Sequence, residues 1–116
     1  VYVEFSIMCE KVKIIKFIDF IDDERLFDDE NGIIWKLIRP LVVDDFTIVF
    51  DFIGIVSVSP RFLSQVVTKP LIILSVEEYC KNIRFKRIQN ELTERLLINS
   101  INNNIQKYSS PRLMLK

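Results

Sequence analysis

The chain has 116 residues, 49% of them hydrophobic, with sixteen basic and sixteen acidic side chains and no net charge. That length fits one domain, and that apolar share buries a core without disulfide or metal staples, which excludes intrinsic disorder. Charge balance argues against a broad nucleic-acid surface. The absence of histidine removes the usual general base, the commonest metal ligand and every Ser/Cys–His arrangement.

Cys9 and Cys80 lie far apart in no metal-like spacing. Two unpaired thiols in a reducing cytoplasm are the simpler expectation, with a disulfide left open. No apolar run reaches the ~18–20 residues of a membrane span. Residues 1–13 lack the charged start and apolar run of a signal peptide. A cytoplasmic protein with no membrane partner is therefore expected.

Residues 1–8 and 11–20 read as two strands joined through Cys9-Glu10-Lys11, either a hairpin or neighbours in one sheet. Val12, Ile14, Ile18 and Phe20 fall on one alternating face, opposite Lys11, Lys13 and Asp19; Ile15 and Phe17 interrupt the pattern. Residues 22–30 form an acidic loop. Its spacing lacks the alternate ligands, central Gly and distal Glu of a calcium loop, so a solvated entry to a helix is expected, with carboxylates at the positive helix end.

Residues 31–43 predict a helix with Ile33, Ile34, Leu37, Ile38 and Leu41 as one apolar stripe. Pro40 should kink or end it, and Asp44-Asp45 should turn the chain. Residues 46–55 are apolar on both alternating faces, as in a central strand covered on both sides. Asp51 is the exception. It is either a functional carboxylate or an acceptor for the turn that follows.

Gly54 suits a tight exit from that strand. Ser59-Pro60 is a strong helix start, with Ser as N-cap and Pro at the first helical position. Phe62, Leu63, Val66 and Val67 supply a buried face. Pro70 interrupts, which predicts one kinked helix or two short ones over 60–68 and 70–81. Residues 83–88 alternate as a strand at or near a sheet edge. Lys81, Arg84, Lys86 and Arg87 around it read as a solvated basic patch that discourages mispairing. Asn90 should cap a last helix over 91–108, with Leu92, Leu96, Leu97, Ile101, Ile105 and Tyr108 on one face, followed by a loose tail over 109–116.

The expected architecture is one α/β domain over 1–108, with order β-β-α-β-α-β-α and a mixed, mostly parallel sheet. Its β-α-β passages imply right-handed crossovers.

Gly32 opening a helix, the Asp51-Phe52-x-Gly54-Ile55 strand end, Ser59-Pro60-x-Phe62-Leu63, the short Ile83-x-Phe85 strand and the amphipathic C-terminal helix together resemble the small bacterial STAS-like proteins. These are related to the anti-sigma factor antagonist fold, and the resemblance covers roughly residues 11–108. It implies a non-enzymatic, cytoplasmic switch without cofactor or metal. Such proteins dock through the strand-to-helix junction onto a histidine-kinase-like ATPase, which can phosphorylate a Ser at that helix start. Here that position falls at or beside Pro60. Ser59 is the neighbouring hydroxyl and Ser57 the second candidate. The acidic pair common in the family is replaced by Ser64 and Gln65.

The residues expected to meet a protein partner are thus Asp51, Gly54, Ser57, Ser59, Arg61, Ser64 and Gln65, with Thr68 at the margin. Two other readings stay open. One is a structural or oligomeric subunit, such as a homodimer paired through its N-terminal strands. The other is a small nucleotide-binding enzyme using the Ser59-Pro60 helix start and Asp51. The lack of any glycine-rich phosphate loop weighs against it.

Overall fold

A computed structural model describes residues 11–21 and 25–109, with side chains to 106. The expected first strand (1–8), its hairpin, Cys9, the Tyr108 side chain and most of the tail lie outside what the structure describes. Strand β1 is Val12–Lys16, and a 3-10 turn, Phe17–Phe20, follows it directly. Strand β2 is Arg25–Leu26. A second 3-10 turn, Glu30–Gly32, leads into helix α1, Ile33–Val43. Strands β3 (Thr47–Asp51) and β4 (Ser57–Val58) come next, then α2 (Pro60–Phe62), which passes into a π-helical turn, Leu63–Val67. A 3-10 turn (Lys69–Ile72), α3 (Val76–Asn82), β5 (Ile83–Lys86) and α4 (Glu91–Ser109) complete the order.

The fold is α/β, and every strand pair among the described residues is parallel. β3 lies centrally between β1 and β5, while β2 and β4 form a separate two-residue pair. The register places Ile15, Phe50 and Phe85 in one row and Lys13, Ile48 and Ile83 in another, on the same face. That face carries the core: Ile15, Ile48, Phe50 and Ile83 are buried with Ile34, Ile38 and Val42 of α1 and Val66 and Val67 of the π turn. The chain steps across the sheet in one direction, β1 to β3 to β5. Two right-handed crossovers in the same direction put both connections on the same side.

The opposite face therefore has no helix layer among these crossovers. Val12 and Ile14 are exposed there and Val49 is half-buried. The expectation that β3 is covered on both faces is corrected accordingly. So is the reading of residues 11–20: the regular apolar face is the open one. Ile15 and Phe17, which seemed to interrupt the pattern, are the residues that pack.

Phe17 is the hub of that packing. Its ring stacks on Phe50 at 5.3 Å and meets Phe52 and Phe62 edge-on at 5.1 and 5.2 Å. All four rings are fully buried. They tie the end of β1, the central strand and the start of α2 into one aromatic cluster.

Other expectations hold in part. α1 buries Ile34, Ile38 and Val42, while Ile33 and Leu37 face outward. Pro40 sits inside α1 without ending it. Only the Lys36 carbonyl loses its helical donor, and Lys36 is exposed to water. Three residues later the helix closes normally, with the Asp44 N–H donating to the Pro40 carbonyl at 3.0 Å. The expected helix from Pro70 is only a 3-10 turn; α3 begins afresh at Ser75. Its hydroxyl accepts from the Glu78 N–H while the Glu78 carboxylate accepts from the Ser75 N–H, a reciprocal capping box that the reading through Pro70 passed over. On α4, Leu97 is buried and Leu96, Ile101 and Ile105 pack against the core as expected, but Leu92 is exposed and Thr93 takes its place.

Replacing Phe17 with Ala removes the shared partner of three rings. Unfolding in urea, followed by circular dichroism, should show a loss of about 4 kcal/mol. Ile18→Ala, beside it and only half-buried, should cost clearly less.

Candidate functional site

The junction between β3 and α2 begins with Asp51, the last residue of β3, whose side chain is fully buried. An isolated carboxylate there would be prohibitively costly, so every oxygen is engaged. Oδ1 accepts from the Ile53 N–H at 3.0 Å and from Arg87 Nε at 3.2 Å, and Oδ2 accepts from an Arg87 terminal nitrogen at 2.7 Å. This is a two-pronged guanidinium–carboxylate pair. Arg87 ends β5 in the left-handed region, at φ 57°, and its side chain remains half-exposed. Burial pushes the Asp51 carboxyl up, but the Arg87 hydrogen bond, the Ile53 N–H and the charges of Arg87 and Lys86 outweigh it and hold the pKa below the ordinary value.

Gly54 then takes φ 78°, and a Cβ there would meet Ile18 Cδ1 at 3.3 Å. The positive φ favours glycine, and a larger residue would also push the end of Ile18 aside by a few tenths of an ångström. Its N–H donates to the Gln89 side chain, and the Val56 carbonyl accepts from the Asn90 side chain at 2.9 Å. Asn90 also caps α4 through the Thr93 N–H, as expected. Val56 itself is exposed. Ser57 and Val58 pair with Arg25 and Leu26, so the segment before α1 runs alongside the junction.

Ser59 is the N-cap the sequence announces. Its oxygen accepts from the Phe62 N–H at 3.0 Å, and its O–H donates to the Phe27 carbonyl at 2.7 Å. Arg61 Nε lies 3.2 Å from Asp28 Oδ1 and is otherwise largely exposed. Gln65 does not face outward freely. Its Nε2 donates to Asp28 and its Oε1 accepts from the Asp29 N–H, both at 2.8 Å. Ser64 donates back to the Pro60 carbonyl. Thr68 is buried, and its N–H and hydroxyl both reach the Leu63 carbonyl; this is the bond that widens the helix into a π turn.

The structure brings Ser57, Ser59, Arg61 and Gln65 together along the segment 25–29, while Gly54 lies against Gln89 and Ser64 lines a separate hollow with Pro60, Leu96 and Asn99 of α4. Two expected contacts are corrected: Asp51 and Thr68 have no outward surface and support the junction from beneath. The sequence reading missed Asp28, Asp29 and Phe27. Asp29 is the true anchor of α1, its two oxygens accepting from the Ile34 and Trp35 N–H groups at 2.9 and 3.0 Å. The signal was present as carboxylates ahead of a helix, but not which one turned inward. Beside the junction, Phe20, Phe27 and Ile33 expose apolar surface into an open cleft of about 330 Å³ that Arg25, Asp28 and Glu30 also line.

Among the described residues, no three His, Cys, Asp or Glu side chains gather as a metal site, and no helix is long and apolar enough to cross a membrane. Cys80 is exposed. No family model, curated protein or solved structure matches the chain.

Two measurements probe this site. A depressed carboxyl pKa contributes stability that is complete above the unfolded value of about 3.9 and is lost as pH falls through the folded pKa. Asp51→Asn should therefore lower stability at pH 7 by about 2 kcal/mol and flatten the acid limb of the stability–pH curve below about pH 4. Ser59→Ala should cost about 1 kcal/mol at every pH, seen as a lower melting temperature without a change in acid slope.

Proposed function

We propose that the chain is a non-enzymatic regulatory module of STAS-like type. In this reading it binds a protein partner through the junction over residues 54–65, in the cytoplasm, and the partner class is a histidine-kinase-like ATPase. The observation that carries the reading is the construction of the junction. Its backbone is held by the Gln89 and Asn90 side chains on one side and by the Ser59 N–H donating to the Leu26 carbonyl on the other, where the Ser59 and Gln65 side chains also donate to the Phe27 carbonyl and to Asp28. Its outward groups, Val56, Arg61 and the adjoining Phe27, are left exposed. A preformed junction loses little conformational entropy on docking, and an exposed aromatic beside an arginine is the composition of an interface centre.

Phosphorylation at Ser59 is the less favoured part of the family pattern. Its hydroxyl already donates to the Phe27 carbonyl. A phosphate there would lose that bond and set its negative charge against the carbonyl oxygen, although the helix start would attract it. Ser57, half-buried in β4 without helix-capping duty, is the alternative acceptor.

The test is capture of a co-expressed histidine-kinase-like ATPase by the tagged chain. Arg61→Glu and Val56→Asp should each reduce capture by about tenfold or more while the melting temperature stays near that of the parent. Capture unaffected by both changes would reject the junction as the interface.

A further inference from the structure

The open face of the main sheet carries a second, separate pattern. The register sets three rows on it: Val12 with Thr47; Ile14 with Val49 and Arg84; Lys16 with Asp51 and Lys86. Apolar side chains occupy the end where the strands begin, and charge occupies the end where they finish. Val12 and Ile14 are about half-exposed, at 47% and 49%. At the charged end the single carboxylate, Asp51, is already matched by Arg87. Lys16, Lys86 and Arg84 thus leave a net positive border to the apolar stripe.

We infer that this face receives one amphipathic helix with an acidic flank, supplied by a protein partner. Charge decides the class of occupant. A second copy stacked with strands parallel would bring cations against cations, and one stacked antiparallel would bury Lys16 and Lys86 against the apolar end formed by Val12 and Ile14. Size agrees with a single helix. Three strands at about 4.8 Å spacing give a platform near 10 Å between outer strands, the diameter of one helix with its side chains. Strands of five residues are roughly 17 Å long, which matches about three helical turns. The apolar ridge of such a helix would lie over Ile14 and Val49, with its carboxylates toward Lys16, Arg84 and Lys86. This surface is distinct from the junction, so the two can be tested apart.

The probe is a lactam-stapled peptide of about fourteen residues, with Leu along one helical face and Glu flanking it. A matched peptide carries Lys in place of Glu. Both are titrated into the full chain labelled at its Ile and Val methyl groups. The expected result is selective shifts of Val12, Ile14 and Val49 with the Glu peptide. Ile14→Glu should weaken that binding about tenfold or more, while Ile14→Thr, which keeps a β-branched side chain, checks that the strand remains folded. Arg84→Glu combined with Lys86→Glu should reverse the preference between the two peptides. Equal affinity for both peptides, or shifts confined to the junction, would overturn the proposal. So would protection of the Val12 and Ile14 methyls from a paramagnetic cosolute in the peptide-free protein, because the face would then already be covered by this chain or by a second copy.

Discussion

A carboxylate at the end of the central strand fixes the geometry of everything the chain presents. Asp51 is fully buried, and its charge is tolerable only because Arg87 and the Ile53 N–H saturate it. Each of those partners is itself placed by a constraint. Ile53 must turn its N–H back toward the strand, which Gly54 permits by taking φ 78°. Arg87 must leave β5 in a left-handed conformation, which a β-strand would not adopt, so β5 stops at Lys86. Two and three residues beyond Arg87, Gln89 and Asn90 fall where their amides reach Gly54 and Val56. One ion pair therefore sets the end of two strands, the turn between β3 and β4 and the entry to α4.

The aromatic cluster does the corresponding work below the junction. Phe17 belongs to no strand and to no long helix. It sits in the short 3-10 turn after β1, where the chain changes direction and can drop a ring between Phe50, Phe52 and Phe62. Dispersion and area burial are non-directional, but three ring neighbours at 5.1–5.3 Å leave little freedom for the end of β1 to shift against the start of α2. The polar ties above and the rings below act on the same few residues.

Much of this is legible in the sequence where a rule is local. Ser59-Pro60 marks its helix because the N-cap and the first helical position follow from the chemistry of those two residues alone. Asn90 and Gly54 are readable for the same reason. The buried side of the sheet was not legible, because it depends on handedness. Val12 and Ile14 alternate cleanly, and only the common direction of both crossovers leaves that face open and sends Ile15 and Phe17 inward. Asp29 anchors α1 locally, but its own N–H is fixed by Gln65, thirty-six residues on, a contact that no window of sequence contains. The π turn escaped notice too. It depends on Thr68 claiming the Leu63 carbonyl with both its N–H and its hydroxyl, while hydrophobic periodicity over 62–67 looks like an ordinary helix.

The Asp51–Arg87 pair also has an asymmetry with a consequence for the junction. The carboxylate is buried, but the guanidinium side chain is 48% exposed. Water and salt screen Arg87 far more than they screen the hydrogen bond from Ile53, which lies on the protein side of Asp51. Weakening of the arginine contact leaves a buried charge with one backbone donor, and the least costly response is for the 53–56 turn to open and hydrate it. That turn carries Val56 and leads directly into Ser59. The junction is thus held by an interaction whose cationic half faces solvent.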